Sequence, residues 1–163
     1  VLVVRKVGVP FHPELAMGAV AEGGVVIRNQ VVIDSVGIDD HSFLVATEVE
    51  MRELDERLRA YRETAPAADP RERTVIVVDD GLATGSTALA AIEGLRAREA
   101  SEVWLAVPVA PADAITVMEK AADRVVVLAR PRRFMAVGAW YRDFSQTSDA
   151  EVTALLQRSR LHG

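Results

Sequence analysis

The second half of the chain alternates short apolar runs with longer helical stretches. The apolar runs cover residues 75–78, 103–109 and 125–129, and their Val-rich composition is typical of buried strands. The stretches between them, 87–98 and 111–122, have the composition of helices. Strands that alternate with helices and are apolar throughout form a parallel sheet. The pattern therefore predicts a single-domain α/β fold, with a parallel sheet that has helices on both of its faces.

The first half of the chain has a less regular pattern. Residues 1–4 predict a buried strand that ends at Arg5 and Lys6. A loop-rich stretch with several Gly and Pro residues follows, and it allows a short apolar helix around residues 14–21. Residues 25–27 and 31–33 then resemble the two strands of a hairpin.

Two capping boxes predict where further helices begin. Thr47 is followed three residues later by Glu50, which predicts a helix from there to about residue 63. Ser148 and Glu151 have the same spacing and predict the start of a final helix. The loop at residues 64–70 is too short to separate two domains, so we expect residues 1–163 to form one domain.

Composition and charge exclude several classes of protein. Half of the 163 residues are hydrophobic, which excludes a disordered chain. The absence of Cys excludes disulfides and thiolate sites, and no apolar run approaches the roughly 20 residues that span a bilayer. The net charge of −5 argues against a nucleic-acid surface. These features predict a soluble, cytoplasmic protein that binds neither nucleic acid nor membrane.

The candidate chemistry lies in residues 74–87, TVIVVDDGLATGST. A buried strand ends in two acids, and a tight Gly-containing loop leads into a helix that begins near Ser86. Ligands of open parallel sheets bind at the carboxyl ends of the strands. Free N–H groups at a helix N-terminus attract anions, so Thr84 to Thr87 could hold a phosphate monoester.

The acid pair, Asp79 and Asp80, requires a different explanation, because carboxylates repel a phosphate. Ionised carboxylates only accept hydrogen bonds, and vicinal ribose hydroxyls can donate to them. A ribose 5-phosphate satisfies both parts of the motif. The alternative is that the two acids only end the strand and cap the next helix. Walker, dinucleotide-binding and serine-hydrolase motifs all differ from this spacing.

Residues 77–87, VVDDGLATGST, resemble the loop of type I phosphoribosyltransferases that binds phosphoribosyl pyrophosphate (PRPP). Residues 5–10 (RKVGVP), 14–19 (ELAMGA) and 136–146 (AVGAWYRDFSQ) further resemble a little-studied bacterial branch of predicted phosphoribosyltransferases. The resemblance covers nearly the whole chain. It implies transfer of phosphoribose from PRPP to a nitrogen base or a related acceptor, with release of pyrophosphate and with Mg²⁺ carried by PRPP.

The resemblance also implies roles for individual residues. Asp79 and Asp80 would contact the ribose hydroxyls and stabilise positive charge at C1, and the 5-phosphate would lie within the segment Ala83, Thr84, Gly85, Ser86 and Thr87. Arg5 and Lys6 would contact pyrophosphate, although a basic pair beside a strand is also common on surfaces. Trp140 or Tyr141 would stack on the base, or would instead pack against the end of the sheet. Whether the chain forms a homodimer stays an open question at this point.

Two departures from the family pattern limit the assignment. Hypoxanthine-guanine members carry an Asp where this chain has Ala83, so a 6-oxopurine acceptor is disfavoured. Type I members also have a strand and a pyrophosphate loop before the strand that ends in Arg5 and Lys6, so we expect a missing upstream segment. The alternatives are a catalytically silent module that senses PRPP or a nucleotide and a metal-dependent phosphosugar hydrolase; the hydrolase lacks further ligands near the loop.

Overall fold

The computed structural model describes residues 2–64, 67–145 and 147–160, and this part of the chain contains two three-stranded sheets. The first sheet is antiparallel, with strands β1 (Val4–Val9), β2 (His12–Ala21) and β3 (Val25–Arg28) in that order. The second is parallel, with the order β4 (Thr74–Val78), β5 (Glu102–Val109) and β6 (Arg124–Ala129). The helices are α1 (Gln30–Val36), α2 (Asp40–Thr64), α3 (Ser86–Ala97), α4 (Ala112–Ala121) and α5 (Asp149–Arg160), and a single 3₁₀ turn covers Val137–Trp140.

The parallel sheet confirms the α/β class predicted from the second half of the chain. Its central strand, β5, buries Val103, Leu105 and Val107 on one face. Ile92 of α3 and Met118 of α4 are fully buried in the same cluster, so both helices cover this face. The predicted bounds of these strands and helices agree with the structure to within one residue, because periodicity and burial indicate the same elements.

The opposite face of the parallel sheet is much less covered by the described residues. Ile76 and Val78 of β4 and Leu128 of β6 alternate with partly buried positions of their strands. Their side chains are 54%, 75% and 83% exposed, respectively. This sheet therefore has one packed face and one apolar face open to solvent.

The antiparallel sheet lies between α2 and α3. Val20 of β2 belongs to a buried cluster with Phe43 and Leu54 of α2. Its neighbour Ala19, whose side chain points to the other face of the strand, packs with Ala90 of α3. Helices thus cover both faces of this sheet, and α3 joins it to the parallel sheet.

Three predictions for the first half were wrong. The first strand is Val4–Val9 rather than 1–4, so Arg5 and Lys6 lie inside a strand; Val1 lies outside the described residues. Residues 14–21 belong to β2 rather than to a helix, because pairing with β1 outweighs their weak helical pattern. Residues 31–33 lie in α1, so β3 pairs with β2 instead of forming the predicted hairpin.

One of the two capping boxes was also misassigned. Helix α2 begins at Asp40, seven residues before Thr47, and the Asp39 carboxylate accepts a hydrogen bond from the Ser42 backbone N–H at 2.7 Å. Thr47 is buried in the middle of this helix. The second box is confirmed, because Ser148 and Glu151 exchange side-chain-to-backbone hydrogen bonds at the start of α5.

Helix length and hydropathy give a further result. None of the helices in the described ranges is both long enough and apolar enough to cross a membrane.

Candidate active site

The acid pair lies where β4 ends, and hydrogen bonds to β5 hold the chain on both sides of it. The Asp79 N–H donates to the Ala106 carbonyl at 3.4 Å, and the Leu82 N–H donates to the Val109 carbonyl at 3.0 Å. The Leu82 side chain is 1% exposed and belongs to the main core. The loop therefore leaves the sheet at a fixed place, at the carboxyl end of a parallel strand.

The second half of the loop has the geometry of an anion site. Gly85 has φ +77° and precedes the first residue of α3, so no side chain caps the N–H groups of the first helical turn from this position. The Thr84 and Ser86 hydroxyls lie 3.2 Å apart. Backbone and hydroxyl donors thus converge at a helix N-terminus, where the helix dipole favours negative charge.

Two features limit what can replace Gly85. A Cβ at this position would lie 3.1 Å from the Met118 Cε of α4. The positive φ also strains any residue with a side chain. The turn therefore favours the glycine found in the motif, and a side chain at this position would also have to displace the end of Met118 slightly.

Both carboxyls of the acid pair have raised pKa values. Burial is the main cause for Asp79, and the nearby charge of Asp80 raises the pKa of Asp79 further; the Asp80 N–H, 2.9 Å from the Asp79 Oδ1, opposes the shift. Burial likewise raises the pKa of Asp80. Asp79 is partly buried and Asp80 is exposed, so ligand hydroxyls could reach both carboxylates.

The C-terminal segment contacts this loop directly. The Tyr141 hydroxyl donates a hydrogen bond to the Asp80 carbonyl oxygen at 2.6 Å. Next to it, a Cβ on Gly81 would lie 2.8 Å from the Val137 Cγ1, so these two backbone segments approach closely only because residue 81 is Gly. The aromatic ring of Phe144 lies 5.2 Å from that of Tyr141.

Of the two candidate base-pocket residues, the structure places Tyr141 in contact with Asp80, and Trp140 precedes it in the chain. Trp140 and Tyr141 are 49% and 36% exposed, so neither ring is enclosed by the core. The sequence indicated this segment only as a cluster of aromatic residues. It did not reveal the bond from Tyr141 to Asp80 or the contact of Val137 with Gly81, because no local pattern links residues so far apart.

The basic pair of β1 has contacts of its own. The Arg5 Nε donates to the Glu50 carboxylate of α2 at 2.6 Å, and Glu53 lies 4.0 Å from the same guanidinium group. Val4, the preceding residue, lines a groove of 780 Å³ that also includes Val78, Asp79 and Thr87. Arg5 therefore joins β1 to α2, while the strand that carries it and Lys6 borders the groove beside the acid pair.

The acids near the loop do not form a complete metal site by themselves. Among the residues that the structure describes, no group of three or more His, Asp or Glu side chains could enclose a metal ion. Asp79 and Asp80 can contribute only part of a coordination shell. Hard carboxylate oxygens of this kind suit an ion that arrives with phosphate ligands of its own, as Mg²⁺ commonly does.

Comparisons with known proteins agree with this geometry. Residues 1–140 match the phosphoribosyl transferase domain family. Two curated proteins from strains of Mycobacterium tuberculosis, "Putative phosphoribosyl transferase Rv0571c" and "Putative phosphoribosyl transferase MT0597", are each 45% identical over 98% of this chain. The chain covers 36% of each, so it spans about a third of the length of these relatives.

A solved structure shares the fold. The crystal structure of the protein TT1426 from Thermus thermophilus superposes with a TM-score of 0.74 and 36% sequence identity, over 96% of this chain and 74% of the other. The α/β fold and the family match over residues 1–140 define the class of protein. The chain belongs to the phosphoribosyl transferase domain family.

Proposed function

We propose that this chain carries the PRPP site of a phosphoribosyltransferase that acts on a nitrogen base or a related acceptor. One observation carries the proposal: one short loop joins the acids Asp79 and Asp80, whose pKa values are raised, to the N-terminus of α3, where Gly85 provides no side-chain cap. This arrangement suits a ligand with hydroxyls at one end and a phosphate at the other. Ribose 5-phosphate, the sugar part of PRPP, has this form.

The proposed binding mode assigns a role to each half of the loop. The 5-phosphate accepts hydrogen bonds from the backbone of residues 83–87 and from the Thr84, Ser86 and Thr87 hydroxyls. The ribose 2- and 3-hydroxyls donate to Asp79 and Asp80. Because C1 gains positive charge as pyrophosphate departs, the two carboxylates stabilise the transition state more than the ground state.

Mg²⁺ is expected to arrive with PRPP. When bound, it neutralises pyrophosphate and makes this group a better leaving group. Asp79 and Asp80 are the carboxylates that could contact the ion or its water. Lys6, on the strand beside the groove, is the proposed cation on the pyrophosphate side; Arg5 would need to share its guanidinium group with Glu50.

The acceptor is proposed to lie between the acid pair and the exposed rings of Trp140 and Tyr141. A half-exposed indole offers a flat surface on which a heterocycle can stack. Ala83 supplies no proton acceptor, so the acceptor atom must react without help from this position or be deprotonated by another group. This disfavours a 6-oxopurine.

Pyrophosphate release from PRPP across a panel of nitrogen bases tests this function. The matched variant is Asp79→Asn with Asp80→Asn, which keeps the shape of both side chains and removes their charge. Each charge-assisted hydrogen bond contributes about 1.5–3 kcal/mol, so calorimetry should show PRPP binding more than tenfold weaker. Unchanged PRPP affinity in this variant would contradict the proposed site.

The main alternative is a module that binds PRPP or a nucleotide without turnover. Binding in this case would still need the acid pair and the phosphate loop. PRPP binding without pyrophosphate release for any base, in the full-length protein, would favour the sensing module over the enzyme.

A further inference from the structure

Among the hydrogen bonds that the structure describes around the acid pair, one comes from outside the loop and its sheet. Hydrogen bonds to β5 hold the N–H groups of Asp79 and Leu82. The Asp79 carboxylate itself accepts the Asp80 N–H. The bond from outside joins the Asp80 carbonyl to the hydroxyl of Tyr141, 61 residues further along the chain.

The Asp80 carbonyl is bonded to the Cα from which the Asp80 side chain projects. The next residue is Gly81, and a glycine backbone has more conformational freedom than that of any other residue. A shift of the backbone at this point would move the Asp80 Cα and its carboxylate together. A hydrogen bond that holds the Asp80 carbonyl therefore also helps to hold the carboxylate beside that of Asp79.

The segment that supplies Tyr141 is itself well supported. Its ring packs on Phe144, and a Cβ on Gly138 would lie 2.8 Å from the same Phe144 ring. Four residues before Tyr141, Val137 lies against Gly81. We call residues 137–144 the C-terminal clasp. It contacts the acid-pair loop at two adjacent residues, once by a hydrogen bond and once by packing.

We propose that Tyr141 is a positioning residue for the ribose hydroxyls: its hydroxyl holds the Asp80–Gly81 peptide in the orientation in which both carboxylates face the same ligand. This inference rests on the proposed function. A protein whose binding-competent conformation is only partly populated binds its ligand more weakly by that fraction. Loss of one neutral hydrogen bond should reduce this population about three- to tenfold.

Tyr141→Phe is the direct test, because it removes the hydroxyl and keeps the ring on Phe144. Calorimetry would compare ribose 5-phosphate with 2-deoxyribose 5-phosphate, which has the same phosphate but lacks the 2-hydroxyl. We expect ribose 5-phosphate to bind about three- to tenfold more weakly to the variant and 2-deoxyribose 5-phosphate to change less. The preference for ribose should therefore shrink, which a general loosening of the fold would not produce.

Tyr61→Phe is the matched control. The Tyr61 hydroxyl donates to the Asp149 carboxylate at 2.5 Å and links α2 to α5 instead of the loop. It should leave the ribose preference at the wild-type value. Val137→Ala is a second variant, which weakens the packing contact of the clasp while the hydroxyl stays, and it should reduce the ribose preference in the same direction.

The outcomes separate this inference from the proposed function. If the wild-type protein shows no preference for ribose 5-phosphate and Asp79→Asn with Asp80→Asn changes nothing, the proposed function fails. If the wild-type preference depends on the acid pair but Tyr141→Phe and Val137→Ala both retain it, the acid-pair site stands and the positioning role of Tyr141 is wrong.

Discussion

Asp79 shows the tension at the residue scale between stability and binding. Partial burial makes its carboxylate a better acceptor for ligand hydroxyls, because fewer water molecules compete for its oxygens. The same burial disfavours its charged form when no ligand is present. The ionised Asp79 carboxylate is therefore less stable in the folded chain than in the unfolded chain.

This tension predicts a pH dependence of stability. The pKa of Asp79 is raised from 3.8 in the folded chain, so the folded state binds its proton more tightly than the unfolded state. The free energy of unfolding therefore falls as pH rises through the interval above 3.8. Asp79→Asn removes this loss, and thermal melts at neutral pH should show a higher Tm for the variant in the absence of ligand.

Asp123→Asn is the control of opposite sign. The Val103 N–H, and after it Arg96, lowers the pKa of Asp123, so its charged form adds stability that is lost as pH falls towards the lowered value. This variant should melt at a lower temperature than the wild type at neutral pH. If Asp79→Asn also lowers Tm there, the Asp79 carboxylate stabilises the free protein.

Gly85 gives a second prediction at this scale. Gly85→Val should abolish detectable binding of ribose 5-phosphate and lower the free energy of unfolding by roughly 2 kcal/mol or more, through the positive φ and the contact with Met118. Calorimetry and denaturant unfolding measure the two effects.

Gly37→Val is the control that separates backbone strain at a positive φ from the effects of the Met118 contact and of the phosphate loop. Gly37 has φ +73°, close to that of Gly85, but a Cβ there meets nothing within 4 Å. The control should lose stability from backbone strain alone and bind ribose 5-phosphate normally. Normal binding by Gly85→Val would place the phosphate elsewhere.

At the scale of the elements, the region from β4 onward could be predicted from sequence. Its Val-rich strands pair with one another in the order of the sequence, and in β5 and α4 the apolar positions that the pattern marks are the buried ones. In the first half, the identity of β2 depends on pairing with β1, and its Ala, Met and Gly residues have no strong preference of their own. The site followed the same rule: the loop was visible in one short motif, whereas the Tyr141 contact depends on the tertiary fold.

Thr47 provides a prediction for helix α2. Its hydroxyl oxygen is buried and, among the described residues, has no hydrogen-bond partner. A buried hydroxyl without a partner costs free energy, and valine keeps the branched shape without it. Thr47→Val should therefore raise the free energy of unfolding by about 1 kcal/mol, measured by denaturant titration. A decrease would mean that the hydroxyl finds a partner in solution.

At the scale of the whole molecule, Glu22 joins the two sheets through their helices. It lies between β2 and β3, and its carboxylate meets Arg62 of α2 at 2.6 Å and Arg98, just after α3, at 3.4 Å. Only 17% of its side chain is exposed. Removal of a partly buried carboxylate that two cations share should therefore cost more folding free energy than removal of a surface ion pair.

Glu22→Ala should therefore lower the free energy of unfolding by about 1–3 kcal/mol, because it leaves two partly buried cations without this partner. The control is Glu99→Ala, which removes an ion pair with Arg71; the Arg71 and Glu99 side chains are 64% and 71% exposed. Its effect should stay within about 0.5 kcal/mol. Equal losses in the two variants would show that the position of Glu22 between the helices adds nothing.

The contact between Tyr141 and Asp80 also bears on how the protein is made. A ribosome releases the chain from its N-terminus, so the acid-pair loop emerges well before the tyrosine that holds it, 61 residues later. The parallel sheet can form in the meantime, because β4, β5 and β6 all precede the clasp. The binding loop is then completed only after residue 141 has emerged, and a nascent chain that stalls before residue 141 would have its sheet but an unfinished site.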